Sequence, residues 1–142
     1  MAEVLLQRDY DFSAETVWEL LSNFGDISWA PGMDKVEVIG EGPGMIRRIF
    51  MPDMEPIDEV LQEMDHENMS FSYTIPSGIP MPVTDYKAGP TVVSTGANSC
   101  RVDWRGSASP VGVSEEEAAE IITGFYTMLL QWIDEHLQVK AA

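Results

Sequence analysis

The residues that could do chemistry in this 142-residue sequence are isolated carboxylates and tyrosines inside apolar segments. Glu59 precedes Val60 and Leu61, and Asp103 precedes Trp104. A carboxyl group buried among apolar side chains has a raised pKa and can act as a general acid, or it can bind the polar end of a ligand. The same group on an exposed strand face is only solvated. Composition alone favours the solvated interpretation for Glu59, because the whole chain is rich in acids.

Other catalytic chemistries have no matching pattern in the sequence. The single Cys100 excludes an internal disulfide and a cysteine-based metal cluster, and its position in a predicted strand indicates a buried, inert thiol. His66 and His136 lack a metal-ligand spacing, and we expect both to be structural. The sequence has no Ser-His-Asp order, phosphate loop, dinucleotide fingerprint or zinc motif. We therefore expect neither a bound metal nor a cofactor.

The charge of the chain excludes several classes of partner. Twenty-four acidic residues against eight basic ones give a formal net charge of -16. Neutralising phosphates requires a basic face, so we expect no nucleic-acid partner, and the same charge argues against stable association with an anionic membrane. The N-terminus lacks the pattern of a signal peptide, so the expected location is cytoplasmic. The length and the 44% hydrophobic content predict one domain over 1–142 with a sizeable core.

The first third of the chain predicts a strand followed by two helical pieces. The strand covers 4–11, and Ser13 is placed to cap a helix that runs to about Ser22. A short second helical piece is predicted over 26–31, where Pro31 and Gly32 would end it.

A long region of strands follows these helices. Short connections rich in glycine and proline separate them, which favours an antiparallel meander. The predicted strands are 35–40, 45–51, 57–65, 70–75, 83–95 and 99–108.

The C-terminal segment predicts a long helix with an unusually wide apolar face. Ser114 to Glu117 form a capping box. On a helical wheel the apolar arc covers roughly 200°, about twice a normal core-facing stripe. A sheet of six to seven strands must curve round the helix to bury such an arc, and this packing commonly leaves a cavity. The arc contains Met128, Ile121, Trp132, Phe125, Ala118, Leu129, Ile122, Ile133, Tyr126, Leu137 and Leu130.

Short motifs along nearly the whole chain carry a resemblance to a known superfamily. They are AETVWELLSNF at 14–24, WAPG at 29–32 with VEV at 36–38, GPG at 42–44 with IRR at 46–48, EVL at 59–61 with Asp65, Tyr73, PV at 82–83 with Tyr86, VDW at 102–104 and GFY at 124–126. Their order resembles the helix-grip (SRPBCC, START-like) superfamily, which includes the START lipid-transfer domains, the pollen-allergen-like plant proteins and the plant abscisic-acid receptors. The nearest branch is the polyketide cyclase/dehydrase-like one. The resemblance implies an α+β fold in which a strongly curved antiparallel sheet wraps a long C-terminal helix.

The resemblance also implies positions for the polar candidates. It places Glu59 in the wall of the cavity, so a cavity-lining Glu59 and a solvated Glu59 become equally good interpretations. It also matches Tyr86 and Tyr126 to positions in the cavity wall. It matches Asp103 to an inward acidic position. The alternation of Asp103 with Val102 and Trp104 predicts the opposite orientation, and of the two we take the cavity reading.

We therefore expect a binding site with two walls. The helix wall would contain Ala118, Ile122, Phe125, Tyr126 and Leu129. The sheet wall would contain Glu59, Tyr73, Tyr86 and Asp103.

Methionines cluster near one end of the predicted sheet, at Met33, Met45, Met51, Met54 and Met81. They either fill gaps in the core or form a flexible apolar entrance that repacks around varied ligands. The predicted entrance loops contain Met51, Met54, Ile79 and Met81, where the similar hormone receptors carry closing loops with different residues.

Three functions remain open. The favoured one is a protein that encloses a small apolar or amphipathic molecule, such as a lipid, a polyketide or a similar metabolite. The second is a cyclase or dehydratase in which Glu59, Asp103 or Tyr86 transfers protons, which requires at least two of them to converge on one spot. The third is an interaction module that uses the methionine-rich loops, as a monomer or a homodimer.

Overall fold

The computed structural model describes residues 1–141 and shows a curved sheet packed against a long helix. Its seven strands are antiparallel and follow the spatial order β1-β7-β6-β5-β4-β3-β2. The predicted helix-grip architecture is confirmed. The elements are β1 (Ala2–Tyr10), α1 (Ala14–Ser22), β2 (Lys35–Ile39), β3 (Ile46–Phe50), β4 (Ile57–Asp65), β5 (Ser70–Ser77), β6 (Val83–Gly96), β7 (Ser99–Pro110) and α2 (Glu115–Ala141).

The first helix forms as predicted, but the second helical piece is wrong. The Ser13 side chain caps α1 by accepting a hydrogen bond from the Thr16 N–H. Residues 26–31 form turns instead of a helix. The Asp26 carboxylate accepts a hydrogen bond from the Ser28 N–H at 3.0 Å, so a side chain supplies the partner that a helical carbonyl would otherwise provide. Pro31 then prevents the turns from extending.

Irregularities in the strand pairing bend the sheet. The β4–β5 and β6–β7 ladders both shift register. In β6 the irregularity contains Asp85, a non-glycine residue with φ of 52°. One extra residue at this point reverses the alternation, so Val83 and Tyr86 both face the interior. This bulge therefore puts the Tyr86 side chain in the core.

The helix α2 lies in the curve of the sheet, with its backbone nearest to β1 and β7. The Ser114 hydroxyl accepts a hydrogen bond from the Glu117 N–H at 3.0 Å. The return bond of a full capping box, from the Ser114 N–H to the Glu117 carboxylate, is not formed in the described chain. Neither helix among these residues has a stretch long and apolar enough to cross a membrane.

The buried face of α2 is narrower than predicted. Ile121 and Met128, at one edge of the predicted arc, are 40% and 47% exposed. The helix backbone lies mainly over β1 and β7, and this edge of the helix is exposed. The buried positions are Ala118, Ile122, Tyr126, Leu129, Leu130, Ile133 and Leu137.

Helix and sheet approach each other closely at Gly106. A Cβ atom on this glycine would overlap the Tyr126 hydroxyl, so the absence of a side chain lets the phenol lie directly on β7. The Tyr126 hydroxyl is then 2.6 Å from the Tyr86 hydroxyl. The part of the space between sheet and helix that surrounds Tyr126, its inner half, is consequently filled by side chains.

Replacing Gly106 should test this close contact. We expect Gly106→Ala to lower the free energy of unfolding by about 1–3 kcal/mol, because the new methyl group displaces the Tyr126 ring. Adding Tyr126→Phe removes the overlapping oxygen and should recover part of the loss. Urea denaturation followed by circular dichroism measures both effects.

The matched control is Gly124→Ala. Gly124 is exposed in the middle of α2 with no neighbouring atom in reach of a new Cβ, so this change should stabilise the protein by about 0.5–1 kcal/mol. Equal effects of the two alanine substitutions would contradict the proposed contact.

Candidate ligand-binding cavity

A cavity of about 220 Å3 lies between the sheet and α2, on the open side of the Tyr126 contact. Apolar side chains from the sheet, from α2 and from three loops form most of its wall. The lining residues are Ile27, Trp29, Ala30, Pro31, Met33, Arg47, Ile49, Met51, Met54, Ile57, Glu59, Tyr73, Ile75, Pro80, Met81, Trp104, Phe125, Leu129 and Trp132.

The helix wall differs from the prediction. Phe125 and Leu129 line the cavity as expected, and Trp132 joins them one turn further along α2. Their spacing of four and three residues puts the three side chains on one helix face. The other predicted members, Ala118, Ile122 and Tyr126, are buried against the sheet and line no part of the cavity. The cavity thus lies nearer to the C-terminal end of α2 than predicted, because Gly106 lets Tyr126 fill the space next to it.

The polar feature of the cavity is an ion pair between Arg47 and Glu59. The two residues are directly opposite each other on β3 and β4, and Arg47 Nε donates to Glu59 Oε1 at 2.6 Å. They are only 5% and 7% exposed. Since burying a lone charge is very unfavourable, each residue makes the burial of the other possible. Glu59 was predicted as a wall residue, whereas Arg47 was not.

Further contacts fix the Arg47 guanidinium. Its Nη1 atom donates to the Phe24 carbonyl oxygen at 3.0 Å, and its Cζ atom lies 4.0 Å from the centre of the Phe24 ring and 5.4 Å from that of Tyr73. The remaining polar atoms, Arg47 Nη2 and Glu59 Oε2, have no partner within residues 1–141. Neither is among the fully buried polar atoms that lack a partner, so both keep some exposed surface, and their two residues line the cavity. The pair therefore presents one donor and one acceptor to a ligand.

The tyrosines lie deeper than this pair. Tyr73 lines the cavity, but Tyr86 lies behind it and shares its hydroxyl hydrogen bond with Tyr126. All three are at most 2% exposed. Burial raises the pKa of each phenol above its ordinary value. Tyr86 therefore does not line the cavity as predicted, and its hydroxyl is already paired inside the protein.

The cavity position expected for Asp103 is wrong. On β7, Trp104 lines the cavity and Asp103 points to the opposite face of the sheet. There Asp103 accepts hydrogen bonds from Arg101 Nε at 2.7 Å and from Gln7 Nε2 at 3.1 Å. These bonds, led by the one from Arg101, hold the pKa of the Asp103 carboxyl below its usual range. The simple alternation of apolar and charged residues predicted this orientation correctly.

The methionine-rich end closes the cavity on its outer side. Met33, Met51, Met54 and Met81 line it, together with Pro80. Ile79, expected in the entrance, packs on the core without lining the cavity, and so does Met45. Flexible thioether side chains thus form the part of the wall that can repack most easily.

A wider depression of about 640 Å3 lies on the outer face of the sheet. Its lining includes Glu63, Asp65, Lys87 and Arg105, with several serines. An apolar molecule would gain little burial on this polar surface. Among residues 1–141, no group of three or more His, Cys, Asp or Glu could hold a metal ion.

Comparisons with known proteins agree with this architecture. Residues 1–138 match the family described as polyketide cyclase / dehydrase and lipid transport. No curated protein is significantly similar to the chain.

Among solved structures, the chain is similar to an uncharacterised protein from Bacillus thuringiensis, with 30% identity, a TM-score of 0.84, and coverage of 95% of this chain and 98% of that one. It is equally similar to the protein XoxI from Bacillus cereus, with 30% identity, a TM-score of 0.84, and coverage of 96% and 95%. Norcoclaurine synthase from Thalictrum flavum, solved with dopamine and hydroxybenzaldehyde, shares the fold at 23% identity and a TM-score of 0.75, with coverage of 96% and 86%.

Breaking the buried ion pair should be far more damaging than replacing it. We expect Arg47→Met to lower the free energy of unfolding by about 3–5 kcal/mol, because Glu59 is left charged and unpaired. The double variant Arg47→Met with Glu59→Leu should recover most of that loss. Urea denaturation of both variants measures the difference.

The neighbouring pair of Arg48 and Asp58 provides the control. It joins the same two strands on the outer face, with Arg48 Nε 2.7 Å from Asp58 Oδ1, and it remains in contact with water. Arg48→Met should therefore cost much less stability than Arg47→Met. If the inner and outer substitutions were equally damaging, the inner pair would not be desolvated as described.

The buried tyrosines should make the folded state sensitive to alkaline pH. Burial raises the pKa of all four, including Tyr10, whose hydroxyl donates to the Leu130 carbonyl oxygen. Folding thus favours the protonated phenols. The free energy of unfolding should fall as the pH rises above about 10, the pKa of tyrosine in the unfolded chain. In an ultraviolet titration we expect phenolate to appear only together with loss of native circular dichroism. Ionisation of several phenols near pH 10 in the folded protein would contradict this burial.

Proposed function

Since this chain belongs to the polyketide cyclase / dehydrase and lipid transport family, we propose that it encloses one small, mainly apolar molecule between its sheet and α2. The observation that carries the proposal is the cavity of about 220 Å3, which is lined mostly by apolar and aromatic side chains and contains one pair of opposite charges. Transfer of apolar surface from water into this space would drive binding, and each buried methylene contributes about 0.8 kcal/mol. The Arg47–Glu59 pair would orient the ligand.

The size of the cavity limits the ligand. An apolar cavity of about 150 Å3 in another protein holds benzene, so a volume of 220 Å3 suits one or two rings or a short branched chain. A drug-sized site is larger, at about 300–1,000 Å3. A longer lipid or polyketide would fit only if the wall of Met51, Met54 and Met81 opened, which flexible methionines allow.

A cyclase or dehydratase remains the second proposal, and it rests on Glu59. Of the three residues considered for proton transfer, Glu59 lines the cavity, Asp103 faces the other side of the sheet, and Tyr86 is paired with Tyr126. The convergence of two of them, which this hypothesis required, is therefore not met. Glu59 is thus the one of the three that is placed to exchange a proton with a molecule in the cavity.

The arrangement of the methionines favours a cavity entrance over an interaction module. Met33, Met51 and Met81 are at most partly exposed and contribute to the cavity wall, and Met54 is the exposed member at 46%. One exposed methionine does not make the large apolar patch that a docking surface needs. The methionine-rich end is better suited to admitting a ligand.

Toluene is a suitable probe of this proposal, because it is apolar and smaller than the cavity. Trp29, Trp104 and Trp132 line the cavity, whereas Trp18 packs beside His66 and Phe71 outside it. In heteronuclear NMR spectra we expect toluene to shift the indole N–H signals of the three lining tryptophans in a saturable way. The Trp18 signal should stay in place.

A pair of phenylalanine variants supplies the control. Ala30→Phe adds a ring to the cavity wall and should weaken toluene binding at least tenfold, because the ring occupies the site. Ala97→Phe, in the exposed turn between β6 and β7, should leave binding unchanged. Equal shifts of all four indole signals, or no saturable shift, would overturn the proposed function.

A further inference from the structure

The charges that line the cavity cancel each other. Arg47 and Glu59 are the charged residues in its wall, and they are paired with each other at 2.6 Å. A charged ligand would find no unpaired partner here. An anion would face Glu59 in a protein of formal charge -16, and a cation would face the guanidinium of Arg47. Because an unpaired buried charge is strongly unfavourable, the cavity selects neutral molecules.

The pair also leaves one donor and one acceptor open at the same end of the cavity. Arg47 Nη2 has hydrogen atoms without an acceptor, and Glu59 Oε2 has lone pairs without a donor, in residues 1–141. In the empty cavity these atoms can bond to water. A ligand that displaces the water must replace both bonds, since buried polar groups left unpaired weaken binding. A hydroxyl group does this, because it donates and accepts at one oxygen.

A carbonyl or an ether group on the ligand could pair with only one of these two atoms. Either could accept from Arg47 Nη2, but neither could donate to Glu59 Oε2. A hydrocarbon would satisfy neither atom. The geometry therefore ranks ligands by their polar group as well as by their size.

Building on the proposed function, we infer that the ligand is a neutral molecule of about ten non-hydrogen atoms with one hydroxyl group. Its hydroxyl donates to Glu59 Oε2 and accepts from Arg47 Nη2. Its apolar body extends past Ile75 and Trp104 towards Leu129. A phenol or a small cyclic alcohol has this chemistry.

Three probes of similar size test the inference on the unmodified protein. 4-Ethylphenol carries the hydroxyl group, 4-ethyltoluene replaces it with a methyl group of the same shape, and 4-methylbenzoate is an anion. Dissociation constants follow from NMR titration of the indole signals of Trp29, Trp104 and Trp132. We expect 4-ethylphenol to bind at least tenfold more tightly than either of the other two.

Two double variants show whether the ion pair causes this preference. In Arg47→Met with Glu59→Leu the polar atoms are gone, and 4-ethyltoluene should bind as tightly as 4-ethylphenol or more tightly. In the control, Arg48→Met with Asp58→Leu, the outer pair of the same two strands is removed and the preference for 4-ethylphenol should remain. Glu59→Gln keeps the shape of the side chain and should reduce the preference severalfold, so it gives a second readout if the double inner variant does not fold.

The outcomes separate this inference from the function it rests on. Equal binding of 4-ethylphenol and 4-ethyltoluene would overturn the hydroxyl recognition and leave the apolar binding site standing. Tighter binding of 4-methylbenzoate would overturn the neutrality of the ligand. Binding of none of the three, together with no effect of toluene, would overturn both the inference and the proposed function.

Discussion

The contact of Tyr126 with Gly106 is the constraint on which the interior of this protein depends. It brings α2 onto β7 with no intervening side chain, and the hydrogen bond between Tyr126 and Tyr86 satisfies two buried hydroxyls. Because the sheet curves, close packing against the helix at one place leaves the two separated elsewhere. The divergence begins where Phe125 and Leu129 project, and the cavity lies there. The packed inner half around Tyr126 and the cavity beside Phe125 and Leu129, in the outer half, are thus two consequences of one contact.

The second determinant is the placement of one ion pair in the hollow half. Arg47 and Glu59 are held by strand register, by the Phe24 carbonyl and by two aromatic rings, so their geometry does not depend on a ligand. A buried pair of this kind is weak evidence for stability, since apolar residues of equal volume often serve as well. Its presence in a mainly apolar wall fits the proposed recognition of a polar group on a ligand.

Much of the fold could be predicted from the sequence, because it depends on local patterns. The apolar face of α2 predicted a curved sheet, although Ile121 and Met128 at one edge of that face are exposed. Ser13 and Ser114 mark where the two helices begin. The site was harder, because it depends on register and on bulges. Asp85 reverses the alternation in β6 and cannot be recognised as a bulge from its neighbours. Arg47 could have been found: it lies opposite Glu59 once a hairpin between β3 and β4 is assumed, and opposite charges at paired positions are a recognisable signal.

The filled inner half and hollow outer half can be tested with xenon, which enters apolar cavities without needing hydrogen bonds. Crystals of the protein held under xenon pressure should show the atom among Ile75, Trp104 and Leu129. No xenon should be found between Ile122 and β7, where the side chains are packed. An empty site at Leu129, or a xenon atom beside Ile122, would contradict the account.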